Sequence, residues 1–520
     1  MPLLLRLVLA AVAGAVVALS FEPFALFFLL PLGVAGLSLL IRGITPGRGF
    51  LVGTVFGSVF MLVLLPWLQV IGGDAWVALS LLEGVFYGLL GLGGVLVQRL
   101  AWWPLWTAML WVAVEALRSS VPFGGFPWGR LAFATADTPA ADLFAYVGSA
   151  GTTFAVALVG TALAWAVLEA RRTPVRGLAA VVVPTMLASS GGAFTPWAPS
   201  PAEEPGRFVS VAAVQGNVPG EGMDAFSERR AVLNNHVEAT HQLAEQVEAG
   251  ERSPDLVIWP ENSTDIDPFA DPTVYGDIQG AVDAVGVPVL VGAMVSGEEP
   301  EDVYNQGIVW EPGTGPVERY SKTHPVPFGE YIPFRDVLSP YISRLDMIPR
   351  DMVPGSEPGL LDMGGTTIGD VICFEVAYDD LLRDVVGGGA DLVVVQTNNA
   401  TYMGTGQIEQ QFAISRLRAI ETNRYVVVAA TNGVSGIIGP DGEVLQRAPV
   451  RSQDVLAETM PLFSATTPAL RWGPVVELLL TAGAAVSVSL AVLVNYRRRR
   501  ARGEAANGPR ESVGVGAGEA

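Results

Sequence analysis

Three side chains in the second half of the sequence could together form an activated nucleophile. Glu261 ends the run LVIWPE, Lys322 lies in YSKTHP, and Cys373 lies in DVICFE. A free thiol with a pKa of about 8.5 is only slightly ionised at neutral pH, so nucleophilic catalysis needs a base or a cation beside it. A carboxylate can accept the proton and an ammonium can stabilise the charge that develops. The three residues therefore predict a Glu-Lys-Cys site.

Two of these residues have no duplicate anywhere in the chain. Cys373 is the only cysteine, which excludes an intramolecular disulfide, and Lys322 is the only lysine among 31 basic residues. In a chain that otherwise uses arginine, a single lysine indicates a task that a planar guanidinium cannot perform. Taken singly, a cysteine in an apolar strand is more often an inert core residue, and a glutamate after Trp-Pro can simply cap a turn. Their joint placement favours chemistry.

Histidine is the usual base for a cysteine nucleophile, and the chain has three histidines. His236 and His241 lie on a polar helical stretch and are expected at the surface. His324 lies two residues from Lys322, so a Cys/His pair remains an alternative to the Glu-Lys-Cys site.

The elements that must position these groups alternate between strand and helix signals. Apolar, β-branched runs end in polar turn residues, and polar helical stretches at 227–249 and 406–421 separate several of them. This pattern predicts a layered α/β domain with functional groups at strand ends. The predicted strands are 209–217, 255–261, 287–295, 367–375, 391–399 and 425–433.

Composition divides the chain into an apolar part and an acidic part. Hydrophobic residues make up 50% and charged residues 16%, which indicates a membrane protein, and the net charge is −20. Most acids lie between about 201 and 460, so that segment is predicted to be an acidic globular domain. An acidic domain argues against nucleic acid as a partner, because phosphate binding needs a basic surface.

Apolar runs long enough to cross about 30 Å of hydrocarbon predict eight transmembrane helices. The first run lacks a small-residue cleavage pattern and leads directly into the second, so it is predicted to be a retained helix and not a signal peptide. The tail after Tyr496 is basic, then rich in Gly, Ala and Glu, and is expected to be disordered. The runs are 3–20, 24–41, 50–71, 76–97, 102–117, 150–169, 176–194 and 474–495.

The arginines predict the orientation of these helices, because cytoplasmic flanks accumulate basic residues. Only the 118–149 loop, with Arg118 and Arg130, breaks the asymmetry. With eight spans and both termini inside, segment 195–472 is expected outside. The arginines on the predicted cytoplasmic side are Arg6, Arg42, Arg48, Arg99, Arg171, Arg172, Arg176 and Arg497 to Arg500.

The motifs around these residues resemble the apolipoprotein N-acyltransferase family, whose catalytic domain belongs to the nitrilase superfamily. PFGEY together with ICFE is specific, whereas WPE alone would be weak. The resemblance covers nearly the whole chain. Its carriers are GFPWG (125–129), WPEN (259–262), YNQ (304–306), YSKTHPVPFGEYIPF (320–334), ICFE (372–375), TNNATYMGTG (397–406) and ATNGVSGIIGPDGEV (430–444).

The resemblance implies a multi-pass α-helical membrane bundle that carries an extracytoplasmic nitrilase-like α-β-β-α sandwich. The expected parts are a seven-helix transmembrane region (1–195), the catalytic domain (205–462), a last transmembrane helix (474–495) and the tail (496–520).

The resemblance also implies a role for each matching residue, with no metal and no cofactor. Glu261, Lys322 and Cys373 would be the catalytic triad. Members of the family show Asn-Asp and an aromatic pair where this chain has 398–402, so the local pocket departs from the family pattern. The supporting residues would be Asn305, Glu330 and Glu375, and the substrate-binding residues Trp128, Phe328, Tyr331, Phe374, Asn398 and Tyr402.

The implied activity is N-acylation of the diacylglyceryl-cysteine of apolipoproteins in a bacterial cytoplasmic membrane. A phospholipid would donate the acyl group through a Cys373 thioester, and Lys322 with backbone N–H groups near Cys373 would stabilise the oxyanion. One alternative is a membrane-tethered amidase of the same superfamily that uses water. A second is a transporter or receptor with a ligand-binding outer domain, although only Glu83 and Glu115 stand out as charges within the spans.

Overall fold

The computed structural model describes residues 1–169, 206–219 and 229–506, with a few isolated positions between 179 and 189. The expected span 176–194 and the residues after 506 lie outside this description. The helix that begins at Pro468 continues past Tyr496 through the arginine run to Ala506. The apolar helices are α1 (Leu3–Ala18), α2 (Leu30–Leu40), α3 (Pro46–Leu64), α4 (Gly73–Val97), α5 (Trp103–Arg118), α6 (Phe144–Glu169) and α12 (Pro468–Ala506).

Within the described residues, four helices are long and apolar enough to cross a membrane: Pro46–Leu64, Gly73–Val97, Ala141–Glu169 and Pro468–Arg498. Leu3–Ala18 and Phe27–Leu40 are apolar but shorter. The chain is therefore a multi-pass helical membrane protein. The first two spans are shorter than expected because the chain turns between Leu19 and Leu26, around Glu22 and Pro23.

Small residues bring α3 and α4 close together. A Cβ atom added to Gly53 would lie 2.2 Å from the carbonyl oxygen of Tyr87, and one added to Gly91 would lie 2.2 Å from that of Gly49. Lipid tails are as apolar as the side chains, so close backbone packing is what holds such helices together.

The two carboxylates noted within the spans have structural partners. Glu83 lies 3.2 Å from Arg118, and both are buried. Glu115 accepts hydrogen bonds from the Leu131 backbone N–H at 2.9 Å and the Thr153 hydroxyl at 2.8 Å. These pairs fix the loop after α5, which accounts for the charges without a transport relay.

Residues 208–461 form two stacked sheets flanked by helices. The first sheet has the strand order β13-β1-β2-β3-β4-β5, with β6 beside β4, and the second has the order β12-β11-β10-β9-β8-β7. The strands are β1 (Phe208–Gln215), β2 (Leu256–Ile258), β3 (Val289–Ser296), β4 (Asp302–Glu311), β5 (Gly315–Ser321), β6 (Asp351–Met352), β7 (Leu360–Met363), β8 (Thr366–Ile372), β9 (Leu392–Thr397), β10 (Val426–Ala430), β11 (Gly436–Ile438), β12 (Val444–Arg447) and β13 (Asp454–Pro461).

Side chains that alternate between the two faces of each strand pack the sheets against each other on one side and against helices on the other. On β1, Val211 and Ala213 face the second sheet, whereas Ala212 and Val214 pack under helices of the first sheet. The helices are α7 (Arg229–Glu248), α8 (Pro272–Val285), the short α9 (Arg335–Leu338), α10 (Asp379–Gly387) and α11 (Gln407–Thr422). The result is the expected α-β-β-α sandwich.

The two halves share one core. Leu382 on α10 and Leu417 on α11 belong to the same buried cluster as Phe56 and Phe60 of α3. Helices α10 and α11 therefore lie between the second sheet and the helical bundle.

Candidate active site

Cys373 lies at a sharp strand-to-turn junction. It follows β8 directly and opens a 3₁₀ turn, Cys373–Ala377, with a φ of 57°. A positive φ is costly for a residue with a side chain, and such strain concentrates at functional sites. Burial raises the pKa of the Cys373 thiol to about 12, with Glu261 adding to the effect and Lys322 opposing it. The resting group is a neutral thiol that needs a base at the moment of attack.

Glu261 follows β2 and is held on both carboxylate oxygens. Oε1 accepts a hydrogen bond from the Asn305 amide at 2.7 Å and lies 3.2 Å from Lys322 Nζ. Oε2 accepts a hydrogen bond from the Asn398 backbone N–H at 2.8 Å. These contacts fix the carboxylate in one orientation.

Lys322 follows β5, is 2% exposed, and pairs with two carboxylates. Its Nζ lies 2.6 Å from Glu330 Oε1 and 3.2 Å from Glu261 Oε1. Burial alone would lower the pKa of Lys322, but the two carboxylates outweigh burial and raise it well above its ordinary value. The group is therefore an ammonium held at a defined position.

Glu375 is not among the described hydrogen-bond partners of Lys322, although its charge contributes to the raised pKa of Lys322. Its carboxylate instead accepts hydrogen bonds from the backbone N–H groups of Thr323 at 2.7 Å, His324 at 2.9 Å and Ile372 at 2.8 Å. Burial would raise the pKa of Glu375, but the His324 side chain, the charge of Lys322 and the backbone N–H groups of Ile372 and His324 together lower it. Glu375 thus ties the segment after Lys322 to the strand before Cys373.

The end of β9 joins the nucleophile to the carboxylate. The Thr397 hydroxyl donates to Cys373 Sγ at 3.4 Å, and the next backbone N–H, that of Asn398, donates to Glu261. The Asn398 side-chain oxygen accepts from Ala400 N at 3.2 Å and from the Thr431 hydroxyl at 3.1 Å. Its predicted contact with substrate stays a prediction, because these described contacts are all internal.

Behind Thr397 lies a buried amide cluster that sequence reasoning missed, formed by Asn399, Gln407 and Gln411. Asn399 comes from the segment that departs from the family pattern, and the two glutamines come from α11. The signal in the sequence was the spacing of four between Gln407 and Gln411, which places both on one helical face.

An aromatic stack joins the nucleophile to the loop after α5. The Phe374 ring stacks on Phe126 at 5.5 Å and on Trp128 at 5.6 Å between centroids. Trp128 also donates to Gln410 Oε1 at 2.8 Å, and Trp67 packs edge-on against Tyr402 at 5.3 Å. The GFPWG loop therefore packs against Phe374, the residue that follows Cys373. Substrate binding by Trp128, Phe374 and Tyr402 stays a prediction.

The loop after Lys322 carries exposed aromatic side chains. Phe328 lies 6.2 Å from Phe123 of the bundle, and Phe123 lies 5.8 Å from Phe334. Phe334 is 69% exposed, and the carbonyl oxygen of the partly buried Tyr331 accepts a hydrogen bond from the Phe328 N–H at 2.8 Å. This aromatic loop has the composition of a lipid-facing surface, and the substrate contacts predicted for Phe328 and Tyr331 stay predictions.

The histidines divide differently from the sequence-based expectation. His324 stacks on Tyr378 at 4.1 Å and contacts Thr323 and Glu375, not Cys373, among the described hydrogen bonds. His241 is exposed as expected, but the surface prediction for His236 is wrong, because its side chain is fully buried beside Trp259. Five residues on a helix are about 140° apart, so the two histidines face different ways.

A buried cluster of ion pairs, which the sequence analysis also missed, joins the sandwich to the helical bundle. Asp379 on α10 lies 2.5 Å from Arg130 of the bundle loop and 2.7 Å from Arg418 on α11. Burial would raise the pKa of Asp379, but the two guanidinium groups hold it well below its ordinary range. Arg130 was visible in the sequence only as an exception to the charge asymmetry.

Chemically, the arrangement offers a carboxylate and an ammonium at strand ends of the first sheet and a thiol at a strand end of the second. Within the described residues, no group of three or more His, Cys, Asp or Glu side chains is placed to hold a metal ion. The groups present fit acyl transfer through a covalent thioester.

Two family models match the chain in succession. The first is the apolipoprotein N-acyltransferase N-terminal domain, over residues 13–162. The second is carbon-nitrogen hydrolase, over residues 210–467, which include Glu261, Lys322 and Cys373.

Two relatives agree with these matches, and one solved structure is also similar to part of this chain. The apolipoprotein N-acyltransferase of Mycolicibacterium smegmatis is 38% identical and covers 94% of this chain and 85% of its own length. That of Photobacterium profundum is 26% identical, covering 89% of this chain and 90% of its own. An amidase from Nesterenkonia, of the nitrilase superfamily, is 17% identical with a TM-score of 0.37, covering 49% of this chain and 90% of its own. On the relatives and the family models, this chain belongs to the apolipoprotein N-acyltransferase family.

Proposed function

We propose that this protein transfers an acyl chain from a phospholipid to the N-terminal diacylglyceryl-cysteine of apolipoproteins. The observation that carries the proposal is the meeting of Glu261, Lys322 and Cys373 at one edge of a sandwich whose helices share a core with an apolar bundle. The names of the relatives support the same activity.

In the first half-reaction, Glu261 takes the thiol proton as Cys373 Sγ attacks the ester carbonyl carbon of the phospholipid. Lys322 faces the developing oxyanion, whose stabilisation is typically the largest catalytic contribution. The tetrahedral species collapses, the carbon–oxygen bond breaks, and Glu261 returns the proton to the leaving alkoxide. A lysophospholipid departs and a thioester on Cys373 remains.

In the second half-reaction, the free α-amino group of the apolipoprotein attacks the thioester. Glu261 accepts a proton from this amine, the carbon–sulfur bond breaks, and the thiolate of Cys373 is reprotonated. The products are an amide and the free enzyme. Because one product leaves before the second substrate reacts, the kinetics are ping-pong.

Both substrates are anchored in a bilayer, which supplies a physical reason for the attached bundle. Extracting a chain into water costs about 0.8 kcal/mol per CH₂. A site beside the aromatic loop of Phe328 and Phe334 avoids that extraction. The placement belongs to the same proposal: a bacterial cytoplasmic membrane, with the sandwich on the extracytoplasmic side, as the arginine distribution predicts.

The test is intact-mass spectrometry of the purified full-length enzyme after incubation with a phospholipid alone. We expect an adduct of one acyl chain on Cys373, which adding a diacylglyceryl-cysteine peptide then removes as an N-acyl product. Cys373→Ser should give no adduct, because a hydroxyl is much harder to deprotonate than a thiol. Release of free fatty acid in place of the N-acyl peptide would support the water-using amidase, and an adduct that persists in Cys373→Ser would refute the proposed nucleophile.

A further inference from the structure

The Thr397 hydroxyl sits between the nucleophile and a buried polar cluster. It is within donating distance of two acceptors, Cys373 Sγ at 3.4 Å and Asn399 Oδ1 at 3.3 Å. Its oxygen accepts a hydrogen bond from Gln411 Nε2 at 3.0 Å. A hydroxyl has a single proton, so the Gln411 contact occupies a lone pair and leaves that proton to one of the two acceptors.

The cluster behind Thr397 is locked by its own hydrogen bonds. Asn399 Nδ2 donates to the Oε1 atoms of Gln407 and Gln411, each at 2.9 Å, and Gln407 Nε2 donates to Gln411 Oε1 at 2.8 Å. These donations turn the Gln411 amide so that its nitrogen faces Thr397. Thr397 is 1% exposed and Gln411 2%, so water does not compete for these bonds.

The cluster is also neutral, in a site that already contains the carboxylates of Glu261 and Glu330. A thiolate formed there is repelled by both carboxylates and attracted by Lys322. A neutral hydroxyl adds a hydrogen bond to sulfur without adding a charge that would pair with Glu261 and disturb the base.

We propose that Thr397 is a further catalytic residue, whose hydroxyl donates a hydrogen bond to the sulfur of Cys373 as the thiolate forms, and that Gln411 is the positioning residue that orients this hydroxyl. The hydroxyl rotates so that its hydrogen bond moves from Asn399 Oδ1 to Sγ when the sulfur becomes an anion. It rotates back when the sulfur is acylated. The inference rests on the proposed function, in which Cys373 is the nucleophile. It also assigns a role to Asn399, within the segment 398–402.

The test uses iodoacetamide alkylation of Cys373 in the full-length protein, followed by mass spectrometry. Cys373 is the chain's only cysteine, so the signal has one source. Below the thiol pKa the alkylation rate is proportional to the thiolate fraction. Thr397→Val keeps the shape of the side chain and removes the donor, and should slow alkylation about 10-fold or more across pH 7–9, the usual size for a hydrogen bond to a charged group. Thr397→Ser should restore the rate, and Gln411→Met should give an intermediate loss.

Thr422→Val is the matched control, because Thr422 is also a fully buried threonine but donates to the Arg418 carbonyl within its own helix. Its alkylation rate should equal that of the wild type. The inference is overturned if Thr397→Val reacts at the wild-type rate, if Thr397→Ser is as slow as Thr397→Val, or if Thr422→Val is slowed equally. Alkylation needs no lipid, so failure here is distinct from failure of the proposed function, which would appear as no acyl adduct on the wild-type enzyme.

Discussion

Lys322→Arg separates a charge argument from a geometric one. The substitution keeps the positive charge, so a purely electrostatic role predicts a mild effect. The structure predicts a large one, because Lys322 is 2% exposed and its Nζ contacts Glu330 at 2.6 Å and Glu261 at 3.2 Å. A guanidinium is larger and planar, and its charge is spread over three nitrogens. It cannot occupy the ammonium position without moving one of the carboxylates.

The expected loss of rate follows from the hydrogen-bond donor that the substitution displaces. If the guanidinium pairs with Glu330 and Glu261, its donors no longer face the oxyanion, and loss of one oxyanion donor typically costs about 10²–10³ in rate, or roughly 3–4 kcal/mol. Movement of Glu261 would weaken the base as well. We therefore expect Lys322→Arg to lower acyl-enzyme formation at least 100-fold, while the fold persists because the buried charges stay paired.

The assay is the rate at which the acyl adduct appears on the full-length enzyme, measured by mass spectrometry under single-turnover conditions. Arg319→Lys is the control variant, because it makes the reverse exchange at an exposed position of the same strand. It should behave as wild type. His324→Ala should also retain most activity, since its ring contacts Thr323 and Tyr378.

The opposite pattern would refute this reasoning. If Lys322→Arg is near normal while His324→Ala is inactive, the Glu-Lys-Cys assignment is wrong and a Cys/His mechanism replaces it. Melting temperatures of the purified variants distinguish either result from loss of the fold.

Two further predictions concern placement and pH. Reporter tags at residues 45, 174 and 510 should report cytoplasm and a tag near residue 250 the outside; a cytoplasmic signal at 250 would overturn the proposed topology. Burial lowers the pKa of His236 to about 4, so the unfolded chain binds a proton first as the pH falls below about 6.5. The contribution of His236 to the free energy of unfolding is therefore complete above that pH and is lost as the pH falls towards 4, by up to roughly 3 kcal/mol. His236→Gln should lose this dependence in thermal melts between pH 4 and 7; an unchanged slope would contradict the assignment.

The sequence predicted the features that repeat locally. Strand runs, apolar spans and the strand-end positions of Glu261 and Cys373 all follow from patterns within about ten residues. The direction in which a single helical side chain points does not follow from such patterns. His236 lies among polar neighbours in the sequence, yet its ring packs against Trp259. Its burial depends on how α7 packs, which no local pattern records.

The contacts between distant segments were also out of reach. Asp379 meets Arg130 across 249 positions of chain, and Gln410 accepts from Trp128 across 282. Such pairs depend on how the bundle and sandwich dock, and a single sequence carries no periodicity that reports it. Glu375 illustrates the same point, since no local pattern indicates that its carboxylate accepts hydrogen bonds from the backbone of Thr323 and His324.

The stacking of Phe374 on Phe126 and Trp128 connects the turn at the nucleophile to the helical bundle. The residue after the nucleophile is gripped by a loop that Arg118, at the end of α5, holds through the carbonyls of Phe126 and Trp128. The end of α5 therefore supports the strained turn on which the thiol lies, so residues of the bundle that are far from Cys373 in the chain constrain its geometry.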